Sequence, residues 1–283
     1  MPGGHGHAAK RWHRLVSDRL AEWERLSPGQ GPLDGAVGDR RAERHAAGVR
    51  LADGEADPFL RRLRRVAERS STAIDVGAGT GRFALPLAAG VDHVTAVDPS
   101  AAMLARLQRQ AGRLGLGNVS TLEGRWEEAA TEVADIVFSA FVLPLVPDAA
   151  AFVRKLEETA RRHVLLYLGA FSADAVLDPL WRHFHGAPRV PGPTYLDSLA
   201  LLGELGVAPD VKVVEVPNRK RFATVGEAVE HYLEGLLLAD TPEVRQELEG
   251  LLSTWLMGRR GAFRSPLRTS PAAIIHWRPR ARP

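Results

Sequence analysis

The chain has 283 residues, no cysteine, and 37 basic against 34 acidic residues. That length buries a sizeable core, as one domain or one domain with a cap, while the lack of cysteine excludes disulfides, thiolate nucleophiles and cysteine-ligated metal chemistry. A net charge of +3 is only mildly basic, no apolar run is long enough to span a bilayer, and the first residues lack a signal peptide's apolar core, so a cytoplasmic location is expected.

Residues His7 to Leu26 predict a helix, with Trp12, Leu15, Val16, Leu20 and Trp23 near helical spacing and Ser27-Pro28-Gly29 as its stop. A polar stretch leads to Pro58 and a second helix from Phe59 to about Arg69. There Arg61, Arg62, Arg64 and Arg65 interleave with Leu60, Leu63 and Val66. Such arginines suit phosphates, but the interleaving favours an amphipathic helix with a solvated face.

The next segment carries the chemistry. Ile74-Asp75-Val76-Gly77-Ala78-Gly79-Thr80-Gly81 reads as a strand ending in a glycine-rich turn, and Val94-Thr95-Ala96-Val97-Asp98 as a second strand ending in an acid. Glycines let a ligand approach the backbone, and the following helix offers unpaired N–H groups. Asp98 lies about 20 residues past the turn, the spacing at which its carboxylate accepts from ribose hydroxyls. A dinucleotide fingerprint has a third glycine where this chain has Arg82, and Asp75 ahead of the turn would repel a pyrophosphate but suit an ammonium group. Acid followed by G-x-G-x-G resembles the first motif of the class I S-adenosylmethionine-dependent methyltransferases, and the likeness extends from Ile74 to about Gly169. It implies S-adenosylmethionine as cofactor, S-adenosylhomocysteine as product, and a Rossmann-like, doubly wound α/β fold. Its seven-stranded sheet is mostly parallel with an antiparallel last strand.

Further along, Asp98-Pro99-Ser100-Ala101-Ala102-Met103-Leu104 is similar to the family's D-x-S-x-x-M-L, which puts Pro99 and Met103 at the adenine or ribose. After the third strand, Gly124-Arg125-Trp126 stands where many members have an adenine-binding Asp. Arg125 has no acceptor, so the adenine amino group passes to a backbone carbonyl, to Glu127 or to water. Trp126 either stacks on the purine or packs the third strand. Ala134 to Leu143 predicts the fourth strand, whose end faces the reaction centre and leaves Ser139 and Phe141 as pocket-lining candidates. No Asn-Pro-Pro-Tyr-like box, aspartate-rich metal cluster or lysine-rich catalytic set is present; Lys10, Lys155, Lys212 and Lys220 are the only lysines. Metal ligands are not expected.

Asp148 precedes a helix to about Arg161, and Val164 to Leu168 reads as the fifth strand. Phe171 to Pro209 is an insertion rich in aromatics, histidine and proline, read either as a substrate lid or as a helix-loop-helix packed on the core. As a lid it offers Trp181, His183 and Tyr195 for the substrate and His185 as general base. Val211 to Val216 and Ala272 to Trp277 predict the sixth and seventh strands, with helices from Val225 to Leu238 and Pro242 to Leu256 between them. These two helices close one side of the substrate site or form a homodimer surface. The divisions expected are a helical cap over residues 1–70, the cofactor-binding core over 71–170, the insertion over 171–210, and the rest of the core with a two-helix insertion over 211–283. Asp39 to His45 resembles a segment that small-molecule methyltransferases fold over the cofactor. The expected acceptor is a small molecule such as a secondary metabolite, quinone or tetrapyrrole-like compound. RNA or protein methylation and a non-catalytic cofactor-binding regulator are the alternatives, with nucleic acid and membrane not expected as partners.

Overall fold

The computed structural model describes residues 6–28, 57–170, 177–218, 221–258 and 261–280; the stretch from Asp39 to His45 and the first residues of the insertion lie outside them. Helix α1 (His7–Leu26) and helix α2 (Pro58–Val66) precede an alternation of β1 (Thr72–Val76), α3 (Ala84–Ala88), β2 (His93–Asp98), α4 (Ala101–Arg113) and β3 (Val119–Glu123). There follow β4 (Ala134–Ala140), α5 (Ala149–Thr159), β5 (Ala160–Gly169), α6 (Asp178–His185), α7 (Tyr195–Glu204) and β6 (Asp210–Pro217). Helices α8 (Val225–Gly235) and α9 (Pro242–Trp255) then lead to β7 (Thr269–Trp277).

The strands form one seven-stranded sheet in the order β3-β2-β1-β4-β5-β7-β6, with β7 antiparallel to both neighbours and every other pairing parallel. This is the expected doubly wound Rossmann-like fold. Strands β1 and β4 are buried on both faces, as their runs of β-branched and apolar residues require. β6 is an edge strand and largely exposed, with Lys212 and Glu215 among its residues, charges that discourage further pairing there.

Two apolar layers cover the sheet. On one face α1, α5 and α7 pack through Trp12, Val16, Phe152 and Leu201; on the other, α2, α3 and α4 pack through Phe59, Leu63, Leu85 and Leu107. The start of α1 lacks a side-chain cap of its own, and Glu204 at the end of α7 accepts from the Ala8 N–H at 2.7 Å instead. A third cluster joins α6, α8 and α9, and the partly buried Trp23 and Leu26 of α1 pack against it. The insertion therefore divides: α7 belongs to the main core, while α6 belongs to the two-helix unit.

The predicted fourth strand runs three residues too far. It ends at Ala140, because Phe141 adopts φ 61° and Leu143–Leu145 coil into a 3₁₀ turn that contains Pro144.

Candidate functional site

The glycine turn sits at the C-terminal ends of the central strands, where an open α/β sheet holds its ligands. Gly77, Gly79 and Gly81 all have positive φ, at 75°, 54° and 88°. They are not equivalent. A Cβ on Gly77 would stand 2.2 Å from Val142 Cγ2, and one on Gly81 would press on Leu85 and Leu107 Cγ at 2.8 and 2.9 Å, whereas one on Gly79 would meet nothing within 4 Å. Gly77 and Gly81 serve packing; Gly79 borders open space.

Asp98 braces this turn. Its Oδ2 accepts from the Gly79 N–H at 2.8 Å and its Oδ1 from the Ser100 N–H at 2.9 Å. The Val97 carbonyl receives the Gly77 and Ala78 N–H groups, and the Asp98 carbonyl receives that of Gly124. Each carboxylate oxygen keeps a second lone pair for a ligand hydroxyl. Ser100 caps α4 by accepting from the Met103 N–H, which fixes the half-buried Met103 in the first helical turn beside this acid. Pro99 and Arg125 are exposed on the neighbouring loops.

Asp75 is 2% exposed at the penultimate position of β1. Burial, and then the Asp98 charge, push its carboxyl well above the usual carboxylate range; the Ala84 N–H pulls in the opposite direction. Asp98 is also raised, by burial, against hydrogen bonds from Ser100 and Gly79. Two buried acids, Asp98 raising Asp75, thus lie at a glycine turn whose Gly79 opens onto free space, an arrangement that favours a cationic partner for one acid and hydroxyl donors for the other.

An unforeseen cluster adjoins the turn. Arg82 pairs with Asp57 at 2.7 Å, and Asp57 also caps α2 by accepting from the Phe59 N–H. So Arg82, at the position of a dinucleotide motif's third glycine, fastens α2 to the turn. Asp57-Pro58 was the sequence signal, an N-cap followed by a first-turn proline. Tyr167 stacks on Phe59 at 4.6 Å and contacts Phe141 at 4.8 Å. Burial, and then the Asp57 charge, push the Tyr167 pKa far above the ordinary tyrosine value, so the phenol stays protonated. Phe141, 42% exposed after the end of β4, presents its ring outward.

Several expected site residues lie elsewhere. The Ser139 side chain is fully buried, and its Oγ donates to the Val76 carbonyl, tying β4 to β1 instead of lining a pocket. Trp126 packs in the core against Phe152, its Nε1 donating to the Phe152 carbonyl with Lys155 over the ring; this is the packing alternative, not purine stacking. Trp181 is buried in the α6–α8–α9 cluster under Arg189. Tyr195 packs against the main core at the start of α7. His183 reaches Glu247 of α9 on the surface.

His185 packs its ring at a tilt against Trp181, 4.1 Å between ring centres, and its Nε2 is 2.8 Å from the Leu236 carbonyl. A carbonyl only accepts, so Nε2 carries a proton and pins α6 to the end of α8. This is a fastening role, not that of a general base. His185→Ala is expected to cost about 1–3 kcal/mol, lowering Tm in thermal denaturation, with S-adenosylhomocysteine affinity by calorimetry unchanged. Among the described residues no group of His, Cys, Asp and Glu is arranged to hold a metal.

Comparison with known proteins agrees with this geometry. Residues 73–163 match the family model described as a methyltransferase domain. An uncharacterised Haemophilus influenzae protein is 28% identical over 153 residues, covering 53% of this chain and 56% of that protein. A ubiquinone biosynthesis O-methyltransferase of Methylocella silvestris is 31% identical over 145 residues, covering 50% and 47%. The chain thus spans about half the length of the curated relatives it matches. Among solved structures, a candidate methyltransferase of Bacillus halodurans superposes with a TM-score of 0.56 at 18% identity, over 80% of this chain and 100% of that one. The chain thus carries a methyltransferase domain over residues 73–163, set in a seven-stranded sheet that shares the fold of the Bacillus halodurans structure.

Proposed function

We propose that the chain is an S-adenosylmethionine-dependent methyltransferase acting on a small-molecule acceptor. The observation that carries this reading is the glycine turn, where Asp98 holds the Gly79 N–H beside open space and the buried Asp75 lies near enough to feel the Asp98 charge. The open side of the turn fits a ligand that brings an ammonium to Asp75 and ribose hydroxyls to Asp98. When bound, the cofactor supplies a methyl already activated on a sulfonium, and transfer is an in-line displacement. The chain's own work is then distance and alignment. Phe141, held outward at positive φ and backed by Tyr167, offers an aromatic platform after the end of β4 for a planar acceptor. The Methylocella relative, an O-methyltransferase of ubiquinone biosynthesis, supports a hydroxyl on a quinone-type ring as the acceptor.

Calorimetry with S-adenosylhomocysteine, followed by methyl transfer to a panel of phenols, tests both halves. Binding is expected, and Phe141→Ala should lower kcat/KM for the acceptor roughly threefold to tenfold through lost ring contact, with cofactor affinity unchanged. No heat at millimolar S-adenosylhomocysteine ends the reading. Methylation of RNA has one observation in its favour: Arg221, Arg264 and Arg268 line a depression beside the end of β6 and the start of β7. A steep loss of turnover with added salt would select it.

A further inference from the structure

A second cleft opens between α2 and the β6–β7 edge of the sheet. Pro58, Val214 and Ile274 supply apolar lining, and Arg61, Arg62, Arg65 and Lys212 bring four cations to it against one carboxylate, Asp210. Asp210 is 86% exposed on its side chain and stands 4.0 Å from Arg62. Among the described residues, Arg61, Arg65 and Lys212 have no ion-pair partner. Like charges gathered at a concave, partly apolar surface focus a positive potential into it.

His276 also stands in the cleft wall. Arg62 has only donors, and its Nη2 is 2.7 Å from His276 Nδ1, so that nitrogen is unprotonated. The remaining ring proton is then on Nε2, which stands 3.0 Å from His163 Nδ1. Burial, followed by the charges of Arg62 and the neighbouring His163, brings His276 down to about 4, with Arg278 adding to the shift and Asp210 opposing it. Arg62 thus spends a hydrogen bond on a neutral imidazole while no carboxylate balances the other cations.

We propose that this cleft binds a small phosphoryl anion, a phosphate ester or diphosphate, held by Arg61, Arg62, Arg65 and Lys212. The anion takes up the guanidinium N–H groups, as phosphates do bidentately with arginine. Arg62 then releases His276 Nδ1, and the added negative charge makes that nitrogen easier to protonate. The inference stands apart from the methyltransferase reading, because no residue of the cleft belongs to the Asp75–Asp98 site.

Inorganic pyrophosphate is the probe, titrated calorimetrically into the full chain at low salt, with the His276 ring followed by NMR. Saturable binding is expected, together with a rise of about one unit or more in the His276 pKa. The exposed double variant Arg65→Gln/Lys212→Gln should weaken binding about tenfold, and Asp210→Asn should tighten it. Binding should persist in saturating S-adenosylhomocysteine. Absence of binding at millimolar pyrophosphate, equal affinity in the double variant, displacement by S-adenosylhomocysteine, or capture only by phosphatidylglycerol vesicles would each overturn the proposal. Failure of the methyltransferase assay would leave it intact.

Discussion

Asp98→Ala is expected to lower the affinity for S-adenosylmethionine on the order of 10²–10⁴-fold, the loss of two hydrogen bonds to a charged group at about 1.5–3 kcal/mol each. The same substitution acts on the empty protein, since Asp98 holds the Gly79 and Ser100 N–H groups. Removing it loosens the turn as well as the ribose site, so Tm should fall too. Asp98→Asn separates the two effects. Its carbonyl oxygen still accepts one backbone N–H, but its amide is a donor where the carboxylate had an acceptor. Stability should therefore recover more than affinity does. Calorimetry with S-adenosylhomocysteine beside thermal denaturation reads both quantities, and an Asp98→Ala affinity within threefold of the parent would remove Asp98 from the cofactor site.

The sequence makes this end of the sheet legible because its signals are local. A glycine needing positive φ, an acid at a strand end and a serine at a helix start each announce their role within a few residues. The insertion is different. Trp181, His185 and Tyr195 are spaced as a lid's contacts or as buried helix faces would be, and only long-range packing decides between them. It sends Trp181 to the α6–α8–α9 cluster and Tyr195 to the main core. Gly186 is the local signal in this stretch. With φ 67° it is the left-handed C-cap of α6, its N–H bonded to the Arg182 carbonyl. A histidine just before such a glycine stands in the last turn of a helix, not in a free loop. The end of β4 was hidden for another reason: the run through Val142 and Leu143 is strand-like in composition, but Phe141 leaves the strand through a backbone conformation that phenylalanine seldom adopts. The Asp57–Arg82 pair joins segments 25 residues apart in sequence and leaves no periodic trace.

Asp75→Asn should divide stability from binding. In the empty protein this carboxyl is raised by burial and by Asp98, so its folded pKa lies above the unfolded value of about 3.9. A raised acid contributes its stability fully below the unfolded pKa, and loses it as pH climbs through the folded pKa. Above that range the charged form is held at a cost. The asparagine variant removes this dependence, so its melting temperature should exceed the parent's at neutral pH and converge toward it near pH 4. Cofactor binding should move the other way. An ammonium beside Asp75 favours the carboxylate, pulls its pKa down and releases a proton on binding at pH values between the bound-state and the empty-state pKa. Parent affinity should rise with pH through that range, with calorimetric heats that vary with the buffer's ionisation enthalpy. Asp75→Asn should flatten both dependences and weaken binding on the order of 10- to 100-fold, one charged hydrogen bond's worth. If the variant keeps the parent's pH slope and proton release, the ammonium is not at Asp75, and the acid ahead of the glycine turn is there for the fold alone.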